Sequence, residues 1–176
     1  MRDGKPYAPR RLEEFQLLPG VKGAVTKLHD AGFLVVVVTN QPDIANGLVA
    51  HEVVEAMHAR LRARVPVDAI EVCPHGQHDE CACRKPKPGL LVGAAQRLSI
   101  DLEQSFLVGD RWKDIVAGRE VGCYTVFVDR GYQEAKPVEA DAVARSLPGA
   151  TRVILEVAAH RHSLEGARWG GWKHFG

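Results

Sequence analysis

The stretch Phe33-Leu34-Val35-Val36-Val37-Val38-Thr39-Asn40-Gln41 decides how this chain folds. Its first six residues are all apolar and four are valine, the pattern of a strand buried on both faces as in a parallel sheet. Working outward toward the N-terminus, Leu18-Pro19-Gly20 opens a helix in which Val21, Ala24, Val25 and Leu28 recur at helical spacing, and Gly32 ends it. The first 18 residues, with Pro6, Pro9 and the polar run Arg10 to Glu14, read as irregular chain or a short turn. Toward the C-terminus, a loop with Pro42 and Gly47 precedes a helix from about Ala50 to Arg64, and Ala69 to Val72 forms a short strand. Helices over Gly89–Leu98 and Lys113–Val121 then alternate with strands over Ser105–Val108 and Tyr124–Val128. A short strand at Ala142–Ala144 and a helix from about Pro148 to His160 follow. Strands alternating with helices predict an α/β fold, an open parallel sheet in three layers, with ligands at the carboxyl ends of its strands. One domain covers residues 1–160. The tail 161–176, with Trp169, Trp172 and Phe175, reads as a flexible end or an aromatic patch docked on the body.

A length of 176 residues suits one domain, and 45% hydrophobic content is enough for a core. The net charge of +1 carries no footprint of a nucleic-acid or membrane partner. The sequence shows neither a signal-peptide pattern nor a long apolar run, so a cytoplasmic location is expected. Of four cysteines, three fall in one loop: Cys73-Pro74-His75, five intervening residues, then Cys81-Ala82-Cys83. Thiolates and imidazole are the preferred ligands of zinc, and a closed shell of four is the structural kind. Thiols of a cytoplasmic protein stay reduced, which favours the metal over a disulfide within the loop, and the Cys-x-x-Cys spacing of a redox motif is absent. His78 competes with His75 as fourth ligand, but the tight Cys-x-His pair favours His75.

Three polar clusters stand at the carboxyl ends of expected strands. Thr39-Asn40-Gln41 offers a hydroxyl, an amide and free backbone N–H groups, which suit a phosphate but also suit a plain polar turn. Arg84-Lys85, directly after the cysteine loop, offers a planar fork and a compact positive charge. Gly109-Asp110-Arg111-Trp112-Lys113-Asp114 brings a tight turn and a carboxylate, Asp110, placed to hold a hard cation such as magnesium. Asp114 either faces the same mouth or caps the following helix. Trp112 either packs in the core or lines the mouth.

In this order the clusters resemble the haloacid dehalogenase superfamily of phosphohydrolases. Thr39 follows an apolar strand, Lys85-Pro86 lies in the middle, and Gly-Asp-x-x-x-Asp spans 109–114. The inserted Cys-x-His…Cys-x-Cys-Arg-Lys-Pro is similar to the zinc-bearing branch that holds the heptose bisphosphate and histidinol-phosphate phosphatases. The resemblance runs from about Tyr7 to Ala159. It implies a Rossmann-like sheet with no large cap domain and a magnesium-dependent phosphomonoester hydrolase acting on a small phosphorylated sugar. Thr39 and Asn40 would bind the transferring phosphoryl group, Lys85 would stabilise its charge, and Asp110 would hold Mg2+. Arg84 and Arg111 would grip substrate, while Cys73, His75, Cys81 and Cys83 would carry structural Zn2+. Relatives often place Arg where this chain has Asn46, so the substrate implied is less fixed: a heptose bisphosphate first, histidinol phosphate second.

The chain departs from the superfamily where its chemistry begins. The attacking aspartate and the general acid/base of Asp-x-Asp-Gly sit at the end of a first, central strand. Here Arg2-Asp3-Gly4 imitates only the last half of that motif, with Met1 in the nucleophile's place and Lys5 following. The expectation is a chain starting downstream of the nucleophile, weak or inactive as an enzyme, and a sheet interrupted at its centre. The other reading is a non-catalytic, zinc-stabilised phosphate-binding or interaction domain.

Overall fold

The computed structural model describes residues 8–135 and 139–169. Arg2-Asp3-Gly4 and the tail residues Trp172 and Phe175 lie outside the described residues. A 3-10 turn over Leu12–Glu14 leads to α1 (Val21–Asp30), then β1 (Val36–Asn40), a one-turn α2 (Pro42–Ala45) and α3 (His51–Arg62). Next come β2 (Ala69–Cys73), α4 (Gly89–Leu98), β3 (Phe106–Gly109), α5 (Trp112–Glu120), β4 (Tyr124–Val128), β5 (Ala142–Ala144) and α6 (Leu147–Trp169). The expected order of elements holds. The strand read over Phe33–Val38 lies slightly later, because its ladder runs from Val36 opposite Ala69 to Asn40 opposite Cys73. The last helix runs nine residues past its expected end near His160, through the first part of the tail.

Alternation along β3 shows the three layers. Phe106 and Val108 pack with Leu28 of α1, Val126 and Val128 of β4 and Ile154 of α6. Leu107 turns to the other face, against Leu91 of α4, Ala117 of α5 and Cys123. Apolar residues on both faces are what a parallel sheet with helices on either side requires.

All the strand pairs are parallel, but the sheet is in two pieces. β1 pairs with β2, and β3-β4-β5 form the other piece. Among the described residues no strand joins them. Burial records the same break: four of the five residues of β4 are buried, whereas all five of β1 are only half-buried. Among the described residues β4 has a neighbour on each side and β1 has one.

Candidate active site and metal centre

Cys73 closes β2 and is fully buried. The chain then turns so that His75, Cys81 and Cys83 come back to it, with all four ligand atoms within 4.8 Å of one another. Cys73 Sγ lies 3.6 Å from His75 Nδ1 and 3.7 Å from Cys81 Sγ, while Cys83 Sγ lies 3.2 Å from His75 Nδ1 and 3.5 Å from Cys81 Sγ. A tetrahedral zinc with bonds of about 2.3 Å to sulfur and about 2.0 Å to nitrogen implies S···S edges near 3.8 Å and S···N edges near 3.5 Å. The donor set and its spacing therefore fit such an ion, and the cluster is able to bind a metal. His75, not His78, completes the set.

The thiols behave as a crowded donor group. Burial pushes the Cys83 thiol up to about 12, and hydrogen bonding to Cys73 and Cys81 adds to the rise. Burial also raises Cys73. Burial acts to raise Cys81 as well, but hydrogen bonds from Cys83 and the Arg84 backbone outweigh it and lower this thiol. Binding a cation here releases protons. Cys123, the cysteine outside the cluster, is buried under α4 and α5, and burial pushes its thiol up to about 11.

The loop is tied to its surroundings by its own backbone. Lys87 Nζ donates to the Cys81 carbonyl at 3.0 Å, and Arg84 donates to the His75 carbonyl at 3.2 Å. At the start of α4, Gly89 donates to the Ala82 carbonyl, and a Cβ there would lie 2.4 Å from that oxygen. Only glycine allows the helix to approach the ligand loop so closely.

Lys85 leaves this loop and enters the gap between the sheet pieces. Its Nζ donates to Val38 O of β1 at 2.7 Å and pairs with Asp114 Oδ1 of α5, also at 2.7 Å. Both side chains are about nine-tenths buried, with exposures of 11% and 10%. Asn40 ties the tip of β1 to the same residue, because its amide donates to Lys85 O and accepts from Lys85 N, each at 3.1 Å. The other carboxylate oxygen of Asp114 accepts from Arg111 N at 3.1 Å. Both sequence readings of Asp114 thus hold in part: it caps α5 and faces the mouth through Lys85. Gly109 makes room for it, since a Cβ on Gly109 would lie 2.2 Å from Asp114 Cβ.

Thr39, Asn40, Lys85 and Asp110 thus come to one end of the sheet. Thr39 Oγ1 accepts from Gln41 Nε2 at 3.2 Å, leaving its own proton to donate. Two of the three ammonium donors of Lys85 are used. Asp110 accepts from Tyr132 O–H at 3.0 Å. Burial raises the Tyr132 phenol, and the Asp110 carboxylate adds to the effect, so it stays a donor. Asp110 offers one hard carboxylate, a donor suited to Mg2+, which takes few protein carboxylates and completes its shell with water and phosphate oxygens. The expected substrate grips are engaged elsewhere: Arg84 with the cysteine loop, and Arg111 with Glu134, whose Oε2 lies 2.6 Å from Arg111 Nε. Trp112 is half-buried, with the Lys113 ammonium 5.5 Å from its ring centre.

Sequence reasoning missed the Lys85–Asp114 pair, the Tyr132–Asp110 bond and the Arg111–Glu134 pair. The partners are 29, 22 and 23 positions apart, and no local pattern links residues at such distances.

The family model described as "HAD-hyrolase-like" matches residues 82–150. The chain is 39% identical over 160 residues to the D-glycero-beta-D-manno-heptose-1,7-bisphosphate 7-phosphatase of Pseudomonas putida, covering 88% of each protein. Among solved structures, it is similar to the D,D-heptose 1,7-bisphosphate phosphatase of Bordetella bronchiseptica, complexed with magnesium and phosphate. That match has a TM-score of 0.77 and 34% identity, and it covers 89% of this chain and 96% of that one. The Burkholderia thailandensis D,D-heptose 1,7-bisphosphate phosphatase matches with a TM-score of 0.60 at 28% identity, over 88% of this chain and 94% of that one.

Proposed function

The chain belongs to the heptose bisphosphate phosphatases of the haloacid dehalogenase superfamily, and from that premise we propose how its own residues serve that chemistry and where they fall short of it. The substrate is a small phosphorylated sugar, a D-glycero-D-manno-heptose 1,7-bisphosphate first and histidinol phosphate second. The reaction is magnesium-dependent hydrolysis of a phosphomonoester. The observation that carries this reading is Lys85, held by Val38 and Asp114 with one donor left over, where it joins the end of β1 that carries Thr39 to the helix start that follows β3 and Asp110.

In this reading Thr39 donates to one phosphoryl oxygen, and Lys85 neutralises charge that builds on another as the bond to phosphorus breaks. Asn40 is a positioning residue: its side chain is spent on the Lys85 backbone, so it fixes the lysine and leaves the phosphoryl group to its neighbours. Arg84 and Arg111 reach substrate only by exchanging their present partners. Asp110 would hold Mg2+, which supplies positive charge beside the phosphoryl oxygens. Zinc at Cys73, His75, Cys81 and Cys83 is structural and fixes the loop that delivers Lys85. Reduced thiols at that cluster suit the cytoplasm.

Among the described residues no acid stands at the tip of a strand between β1 and β3, where an attacking carboxylate would meet the group bound by Thr39 and Lys85. The 176-residue chain is therefore expected to bind phosphate and turn over little. Calorimetry with inorganic phosphate and Mg2+ should show binding that Lys85→Met removes. Phosphate release from heptose bisphosphate should stay at the level of a protein-free blank. Beryllium fluoride, which needs an attacking carboxylate, should give no stable adduct. Hydrolysis abolished by Asp110→Ala would refute the inactivity, and absence of phosphate binding would refute the site. The second reading, a non-catalytic phosphate-binding or interaction domain, rests on the same missing carboxylate; phosphate binding without adduct or turnover would favour it for the chain as it stands.

A further inference from the structure

The chain that leaves β4 passes beside Asp110 and is anchored on both sides of it. Asp129 N donates to Ala144 O at 2.8 Å, which carries the β4–β5 pairing one residue past the strand. Gly131 N then donates to the Asp129 carboxylate at 2.9 Å, in a turn where φ of +69° suits glycine. Three residues on, both carboxylate oxygens of Glu134 pair with the Arg111 guanidinium just before α5. Tyr132 lies between these two anchors. Its O–H donates to Asp110 Oδ2 at 3.0 Å, and its phenol oxygen is hydrogen-bonded by the Arg130 side chain. A guanidinium can only donate, so that contact occupies a lone pair of the phenol and leaves the hydroxyl proton for Asp110.

We propose that Tyr132 is a positioning residue for the carboxylate of Asp110: by holding Oδ2 it turns Oδ1 toward a divalent cation. The proposal rests on the reading of Asp110 as the magnesium ligand and deepens it. Among the described residues Tyr132 is the one donor to Asp110, so Oδ1 keeps its lone pairs for the ion. Mg2+ demands near-octahedral geometry at short distances, and a single carboxylate free to rotate meets that demand poorly. A donor behind a ligand fixes its orientation and is worth about 10–100-fold in metal affinity. The phenol acts through Asp110 and does not itself bind the phosphoryl group. The cavity lined by Asp110, Arg111, Tyr132 and Glu134 measures about 10 Å3, room for one water and too little for a phosphate. Nor do Asp110, Asp129 and Glu134 make a second metal centre. Among the described residues, the cysteine loop alone brings three or more such side chains to ligand spacing.

The test counts bound Mn2+, as a stand-in for Mg2+, by electron paramagnetic resonance. It uses the full 176-residue chain loaded with zinc and saturated with inorganic phosphate. Tyr132→Phe keeps the ring and removes only the hydroxyl, and it should weaken Mn2+ binding by about tenfold or more. Asp110→Asn should remove the site. Zinc content and phosphate affinity without Mn2+ should match the native chain in Tyr132→Phe, and its thermal midpoint should stay within about 2 °C. A merely structural hydroxyl would move the midpoint and leave the affinity for the ion alone. Equal Mn2+ affinity in Tyr132→Phe and the native chain would overturn the inference while leaving Asp110 as the ligand. Tighter binding in Tyr132→Phe would also overturn it, since the phenol would then compete with the ion. A native chain without an Mn2+ site, or a site untouched by Asp110→Asn, would overturn the reading of Asp110 and this inference with it.

Discussion

Removing the Asp114 carboxylate tests whether the two halves of the sheet are held in register by one ion pair. In Asp114→Ala, Lys85 keeps Val38 O as its only partner among the contacts described above, and Arg111 N loses its acceptor. Taking one partner from a buried pair costs about 3–5 kcal/mol, and losing a helix-capping acceptor costs about 1 kcal/mol. The 11% of the Lys85 side chain that remains exposed gives the ammonium some access to water and offsets part of that cost, so a net loss of about 3 kcal/mol is expected. For a chain of this length that is a fall of about 6–12 °C in the thermal midpoint. Asp114→Asn retains an oxygen and should lose about half as much. Urea unfolding followed by circular dichroism supplies the assay, with Lys85→Met and the double variant closing a cycle whose coupling should be about 2 kcal/mol. A loss below about 1 kcal/mol for Asp114→Ala, or an additive cycle, would refute the reasoning.

Zinc-loaded protein stripped with a chelator should lose more than about 10 °C of thermal midpoint, since structural zinc contributes directly to folding. His75→Ala should fail to retain the metal by atomic absorption, while His78→Ala should retain it. Gly89→Ala should weaken zinc affinity about tenfold in a competition titration, by forcing the Ala82 carbonyl and the flanking cysteines outward. Asp141 gives a pH signature. Burial acts to raise its carboxyl, but hydrogen bonds from the Thr125 hydroxyl and backbone outweigh this and hold it below the usual 3.8. A depressed folded value stabilises above the unfolded value and loses that contribution as pH falls through the folded one. The stability gap between the native chain and Asp141→Asn should therefore be constant at neutral pH and shrink on acidification below about pH 4.

The fold was legible because its signals are local. The valine run at 35–38, the helical spacing of Val21, Ala24, Val25 and Leu28, and the ligand pairs at 73–75 and 81–83 each lie within a dozen positions. The strand after Gly32 was read too early because Phe33 and Val35 are apolar for another reason: they pack against the α1–α6 core ahead of the ladder. The polar Thr39 and Asn40 were excluded from the strand, although their backbones pair with Val72 and Cys73. The one-turn helix at Pro42–Ala45 was read as loop, being too short for any periodicity to appear. At the site, residue types and order point to Thr39, Lys85 and Asp110 as candidates, but not to their partners. Side-chain pairing across more than twenty positions depends on where the backbone turns, so the bonds of Asn40 to Lys85 and of Arg111 to Glu134 leave no mark in the sequence.

Cys123 offers a practical consequence of its burial. A thiol raised to about 11 and packed beneath α4 and α5 carries almost no thiolate at neutral pH. An alkylating reagent applied to folded protein would therefore mark Cys81 first, a half-buried thiol lowered by its hydrogen bonds, and only when it is not ligated, while Cys123 waits for its cover to open. Delayed modification of the fourth sulfur would then clock how often the whole body opens, so one mass spectrum would report metal occupancy and global breathing together.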